Sequence, residues 1–280
     1  MKKCIITGGN SGIGKRAAYQ IAGKGYFVVL ACRNIEQAQK VCEEITNETG
    51  NSNVFAMRVD LSLMSEVKTF IKEYTQQYND LDVLINNAAD FDLSRKTPLI
   101  TSEGNEAQFA TNHLAPFALV QGLLPLLKAS DDGRIINISS QGLMMYPRIT
   151  FDFDNIKGDK HYSPAKTYYQ TKLAQIMFSL MLKEKLTSSN ISVYAIRVTN
   201  VKVDMNRYKN ISPFLKFMYK IKSQFSISPE EMAKVYTTLA TEPKLNGFYY
   251  DEKMREVKVN EFAYNQAAQQ KLWDLSEKLI

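Results

Sequence analysis

Tyr168 and Lys172 stand one helical turn apart in the run Tyr168-Tyr169-Gln170-Thr171-Lys172, so on a helix their side chains share a face. A free phenol titrates near pH ~10 and exchanges protons slowly at neutral pH. A neighbouring ammonium favours the phenolate and brings the group toward the working range. The pair therefore reads as a general acid and the cation that tunes it. The same spacing also suits an amphipathic helix with the tyrosine inside and the lysine in water. With 15 tyrosines in the chain, the pair alone does not decide between these readings.

The N-terminus supplies more. Lys3-Cys4-Ile5-Ile6-Thr7 is a short, largely apolar run that enters Gly8-Gly9-Asn10-Ser11-Gly12-Ile13-Gly14 and then the helix-like Lys15-Arg16-Ala17-Ala18. Strand, glycine turn and helix in that order form the context a dinucleotide-binding loop requires. Glycines at 8, 12 and 14 permit positive φ and close backbone approach, so a pyrophosphate can rest on the free N–H groups at the helix start. The next apolar run, 26–31, ends in Cys32-Arg33-Asn34, where such a fold meets the adenosine ribose. A carboxylate there would take the 2′-hydroxyl of NAD, whereas an arginine pairs with the 2′-phosphate of NADP. Arg33 thus points to NADP(H), the plainer alternative being an exposed loop arginine. Glu36, the nearest carboxylate, falls in the first turn of the next helix, where a negative charge is favourable for helix reasons alone.

Taken together, these residues resemble the short-chain dehydrogenase/reductase family over almost the whole chain. Thr7-Gly8-x-x-x-Gly12-x-Gly14 is similar to its cofactor loop. Asp60, followed by Leu61-Ser62, matches the aspartate that approaches the adenine. Asn86-Asn87-Ala88-Ala89 matches the family's Asn-Asn-Ala-Gly segment with alanine in the glycine place. Asn112 in Thr111-Asn112-His113-Leu114 and Ser140 in Ile138-Ser139-Ser140 match the catalytic asparagine and serine. Leu30-Ala31-Cys32-Arg33-Asn34, the stretch 111–117 and the long segment between Ser140 and Tyr168 are most similar to the retinol-dehydrogenase-like, NADP(H)-linked reductases, and relatives of protochlorophyllide reductase share several of these phrases.

The resemblance implies a catalytic set of Asn112, Ser140, Tyr168 and Lys172. Gly8, Asn10, Ser11, Gly12, Ile13, Gly14, Arg33, Asp60, Leu61, Asn87, Ala88, Tyr168, Lys172 and Val201 would hold the cofactor, Val201 through its backbone. Hydride would pass between NADPH and a lipophilic carbonyl while Tyr168 protonates the oxygen and Ser140 holds it. Lys172 would bind the nicotinamide ribose, and Asn112 would complete a proton relay through its backbone and an ordered water. After the sixth strand the chain departs from the pattern: Val198 and Thr199 stand where Pro-Gly is usual, and Val203 lacks the expected hydroxyl.

To bring these residues together the chain needs strands near 3–7, 26–32, 53–59, 81–86, 134–139, 191–198 and 246–250. Helical patterns between them cover 13–24, 35–48, 63–77, 101–128, 164–188 and 228–241. Such alternation predicts one α/β domain over 1–280, a Rossmann-type doubly wound parallel sheet of about seven strands with helices on both faces. The strand order reverses after the first strand and opens a crevice at the C-terminal strand ends. Two stretches interrupt the alternation and are expected to shape the substrate site. One, 143–166, is rich in Met, Phe and Asp, and could instead be a surface loop. The other, 206–225, places Phe214, Phe217 and Met218 among lysines, which suits a lid over an apolar pocket or peripheral contact with a membrane surface.

Composition narrows the class. Apolar residues make up 45% of the 280, enough for a sizeable core, and no apolar run approaches the roughly 20 residues that span a bilayer. The chain enters a strand almost at once, leaving no room for a signal peptide, which predicts a cytoplasmic protein. Cys4, Cys32 and Cys42 lack metal-ligand spacing and read as reduced core residues on buried elements, and His113 and His161 do not complete a metal set with them. The net charge of +6 is scattered and carries no nucleic-acid-reading motif, so no nucleic-acid partner is expected. Substrate identity and oligomeric state stay open. A nucleotide-binding regulator or scaffold that has lost turnover is the alternative to an enzyme.

Overall fold

The computed structural model describes residues 1–202 and 226–280. Val203 and the expected lid or membrane segment at 206–225, with Phe214, Phe217 and Met218, lie outside the described residues. β1 (Lys3–Thr7), β2 (Phe27–Cys32), β3 (Val54–Arg58), β4 (Val83–Asn86), β5 (Arg134–Ser140), β6 (Ser192–Val198) and β7 (Tyr249–Tyr250) pair in the order β3-β2-β1-β4-β5-β6-β7. Every pair is parallel. The predicted fold is therefore present, with the reversal beside β1 that opens the crevice.

Period-two alternation divides the strand residues between two cores. Ile5, Val29, Leu84, Ile135 and Val193 face one layer, together with Phe70, Phe117 and Phe178. Cys4, Ile6, Val28, Leu30, Ile85, Ile136 and Ile196 face the other, with Ala17, Ile21, Ile45 and Tyr236. The first layer is built by α3 (Met64–Gln77), α5 (Ala115–Ala129) and α6 (Pro164–Lys185); the second takes α1 (Gly12–Ala22), α2 (Ile35–Thr49) and α7 (Pro229–Thr241). Local sequence sets the helix ends. Asn34 caps α2 by accepting from Gln37 N, and Gly50 ends it at φ +73°. Ser163 caps α6 ahead of Pro164, and Ser228 with Glu231 forms a capping box on α7.

Three elements differ from the sequence-based expectation. The helix expected over 101–128 begins later: Ile100 bridges Glu106, and Gly104 at φ +81° turns the chain between them. Helical structure then runs as α4 (Ala107–Phe109), a π-helical turn (Ala110–Leu114) and α5. A C-terminal helix, α8 (Gln266–Leu279), was not expected. It lays Trp273 against Phe117 at 5.0 Å between ring centroids and Ser276 Oγ against His113 Nε2 at 2.8 Å. In the 143–166 stretch, expected as a site wall or a surface loop, Leu143, Ile149 and Phe151 are instead buried in the core, whereas Met144 and Met145 are exposed. Cys4, Cys32 and Cys42 are all buried free thiols, with Cys4 and Cys32 toward opposite ends of adjacent strands. No described helix is long and apolar enough to cross a membrane.

Candidate active site

Thr7 closes β1 and ties the glycine loop to the end of β4. Its hydroxyl oxygen accepts from Ala88 N at 3.0 Å, and its carbonyl accepts from Asn87 Nδ2 at 2.8 Å. Gly8 N–H donates to Ala31 O on β2 at 2.9 Å. Gly8 and Gly12 have φ of +64° and +57°, the region that favours glycine. A Cβ on Gly14 would lie 2.8 Å from Gly8 O, and one on Gly9 would lie 2.7 Å from Leu30 Cδ2. The loop is thus packed hard against β2 and β4. Ser11 at the start of α1 makes no capping bond with its side chain, and no acidic residue stands in the first turn. That end of α1 presents N–H groups and a positive dipole end, which fits a phosphate. Thr7 opens the loop motif read from the sequence, whereas Gly9 was not singled out, although it belongs to the same Thr-Gly-Gly run.

The tips of β2 and β3 bring Arg33 and Asp60 together. Arg33 Nη1 lies 3.8 Å from Asp60 Oδ2, and the arginine side chain is 76% exposed. Asp60 Oδ1 accepts from Ser62 N at 2.9 Å and Ser62 Oγ at 2.7 Å, so the carboxylate is oriented by its own turn. Leu61 is buried beside it. An exposed guanidinium at this strand tip can turn to a phosphate without breaking a buried pair. Asn10, on the loop nearby, donates to Gln37 Oε1 at 3.4 Å.

The residues expected to be catalytic come from the C-terminal end of β5, the π-helical turn and α6. Ser140 closes β5, and its Oγ accepts from Gly142 N at 3.1 Å, starting a short 3-10 turn (Gln141–Met145). Lys172 is 2% exposed, and its Nζ donates to Ile138 O at 2.9 Å, two residues before Ser140. Burial lowers its pKa to about 8. The same Nζ sits 5.6 Å from the centroid of the Tyr168 ring. Phe91, from the loop after β4, packs on the Tyr168 ring at 4.3 Å between centroids. Tyr169 has a different setting. It packs against Tyr146 with ring centroids 4.9 Å apart and the rings tilted by 37°, and a Cβ on Gly142 would sit 2.5 Å from its Cζ. Burial pushes its phenol up. The tyrosine ring beside the buried Lys172 ammonium is thus that of Tyr168.

Asn112 lies in the π-helical turn, 1% exposed. Its Oδ1 accepts from Asp90 N at 2.7 Å, and its Nδ2 donates to Asp90 O and to Thr171 Oγ1, each at 3.0 Å. The side chain therefore clamps the loop that carries Phe91. Its carbonyl accepts from Gln175 Nε2. The Asn112 relay expected through backbone and ordered water thus has a protein donor on that carbonyl, a contact sequence reading missed. Beyond β6, Thr199 Oγ1 donates to Gln141 Oε1 at 2.6 Å, which ties the position usually held by glycine to the turn that Ser140 begins. Val201 bridges Ile227, and Lys202 N donates to Ile227 O at 3.0 Å.

A model of the short chain dehydrogenase family matches residues 2–151, more than half of the chain. The protein belongs to that family. Retinol dehydrogenase 11 of Mus musculus is 32% identical over 282 residues, an alignment that covers 100% of this chain and 86% of the relative. An uncharacterized protein from Mycobacterium Paratuberculosis superposes with a TM-score of 0.73 at 25% identity, over 100% of this chain and 93% of the other. An alcohol dehydrogenase from the archaeon Thermococcus sibiricus, solved with 5-hydroxy-NADP, gives a TM-score of 0.68 at 21% identity, over 92% of this chain and 100% of the other. Among short chain dehydrogenases the chain is therefore related to retinol dehydrogenases at moderate identity.

Proposed function

We propose that the protein is an NADP(H)-dependent oxidoreductase that reduces the carbonyl of a lipophilic small molecule. The observation that carries this reading is the buried Lys172 ammonium, fixed on Ile138 O beside the Tyr168 ring, with Ser140 at the end of the same strand. A charge this deeply buried and held by a backbone carbonyl is costly, which marks it as a functional candidate. When bound, NADPH supplies the hydride. Tyr168 donates the proton to the substrate oxygen, and Ser140 holds that oxygen by a hydrogen bond. Lys172 stabilises the negative charge that remains on Tyr168. The glycine loop and the open start of α1 would hold the phosphates, and Arg33 would meet the 2′-phosphate. NADP(H) is supported also by the relationship to proteins such as the Thermococcus sibiricus enzyme solved with an NADP derivative.

A lipophilic substrate is supported by the wall beside the catalytic turn and by the retinol dehydrogenase relatives. Met144 and Met145, at the end of the turn that Ser140 begins, are 63% and 76% exposed, and Phe91 is 38% exposed over Tyr168. Methionine and aromatic side chains suit an adaptable apolar pocket. The test is NADPH consumption with a panel of aldehydes and ketones of rising chain length, run beside NADPH binding by fluorescence. Turnover that improves with apolar length supports the reading. Tight binding without turnover on any carbonyl would make the protein a nucleotide-binding scaffold.

A further inference from the structure

Gln175 follows Lys172 by three residues on α6, so both side chains leave the helix on one face. Each is 2% exposed. The Gln175 amide donates through Nε2 to the Asn112 carbonyl, which fixes its orientation and turns Oε1 the other way. That oxygen is buried with no hydrogen-bond partner. An ammonium carries three donors, and Ile138 O takes one of those on Lys172. The side chain of Asn112 has no role to spare, because both its amide atoms are engaged by Asp90 and Thr171. An unpartnered acceptor is therefore buried one helical turn from a buried donor, on the same face of α6 and tied to the backbone of Asn112. Buried polar atoms in such positions are held by ordered water. On α4, which packs against α6, Gln108 has both amide atoms buried without partners, as does Oε1 of Glu106 at the cap of that helix.

We propose that Gln175 is a positioning residue of the proton relay. Its Oε1 holds the water that exchanges protons with Lys172, and its Nε2 anchors the amide on the Asn112 carbonyl. The inference rests on the reductase reading. In each turnover the Tyr168 O–H bond breaks as the O–H bond of the product alcohol forms, and the phenolate must then recover one proton from solvent. The water at Gln175 gives one proton toward Lys172 and receives one from the next water, so the amide itself is unchanged and no oxidant or reductant is consumed.

Gln175→Met removes both amide atoms at similar volume, and Gln175→Glu keeps the Oε1 acceptor. Both are compared with the parent holoprotein. Tyr168 starts each single turnover protonated, so hydride transfer measured in a single turnover should keep its parental rate in Gln175→Met. Steady-state turnover should fall roughly tenfold, less than the hundredfold or more of a lost acid. The solvent isotope effect should rise, and added imidazole should restore turnover by donating protons directly. Gln175→Glu should keep more of the steady-state rate. Binding of NADPH by fluorescence should stay near the parent in both. If single-turnover and steady-state rates fall together with no imidazole effect, Gln175 only pins the π-helical turn and the proposal fails. Unchanged kinetics in Gln175→Met would overturn it equally. A parent that reduces no carbonyl would remove the functional reading and this inference with it.

Discussion

At the scale of single residues, the proposed chemistry rests on one phenol, one buried ammonium and one exposed guanidinium. Tyr168→Phe keeps the ring against Phe91 but removes the proton, so turnover should drop at least about a hundredfold while NADPH binding by fluorescence persists. Tyr169→Phe should turn over like the parent, and the reverse pattern would mean that Tyr169 is the acid. Lys172 adds a pH signature. Burial sets its pKa at about 8, so the ammonium predominates at neutral pH and is lost as pH rises through that value. Reductive turnover should therefore decline between about pH 8 and 9, to be checked in a pH–rate profile at saturating NADPH. Arg33→Asp should weaken NADPH far more than NADH, because an arginine–phosphate pair is charge-assisted and an aspartate repels that phosphate. Equal affinities of the parent for the two cofactors would remove its basis. Tyr168, Lys172, Ser140 and Asn112 were legible because each sits in a short motif of fixed spacing. Gln175 was not, because its meaning comes from Asn112, 63 residues away on another helix. Phe91 over Tyr168 was hidden for the same reason.

At the scale of elements, the central strands and most helices followed from apolar periodicity and from caps such as Asn34 and Ser228. The start of the helix before Asn112 did not, since Gly104 and the Ile100–Glu106 bridge are tertiary turn features within a pattern that reads as helical. α8 carries its buried residues at Ala268, Gln269, Leu272, Trp273 and Ser276, a mixed face whose apolar signal is weak. What α8 buries gives it a measurable role. His113 is fully enclosed between the π-helical turn and α8, and burial lowers its pKa to about 3. An unfolded histidine titrates near 6.5, so the unfolded chain binds a proton that the folded chain refuses as pH falls from about 6.5 toward 3. This contribution is complete above about 6.5 and is lost below it at about 1.4 kcal/mol per pH unit. Between pH 6.5 and 5 the parent should lose about 2 kcal/mol of stability that His113→Gln does not lose, whatever its starting value. Urea unfolding at several pH values measures this, and parallel slopes for the two proteins would contradict it.

At the scale of the whole molecule, a ligand that binds only the folded chain stabilises all of it at once. NADPH at about 100 times its dissociation constant should add about 2.7 kcal/mol, whereas NADH at the same concentration should add less. Thermal melts with each cofactor check both signs. The strand order has a further consequence, for the chain as it is made. β1 is a central strand, paired on one side with β2 and on the other with β4, whose residues follow about 80 positions later. Until β4 leaves the ribosome, a nascent chain can close β3-β2-β1 but must leave the second edge of Cys4-Ile5-Ile6 without a partner, although all three residues are fully buried in the finished fold. A bare apolar edge of this kind recruits other strands. A fragment ending before β4 should therefore aggregate or bind a chaperone, and one continued through β5 should do so less, which makes the emergence of residues 83–86 the step at which synthesis becomes safe.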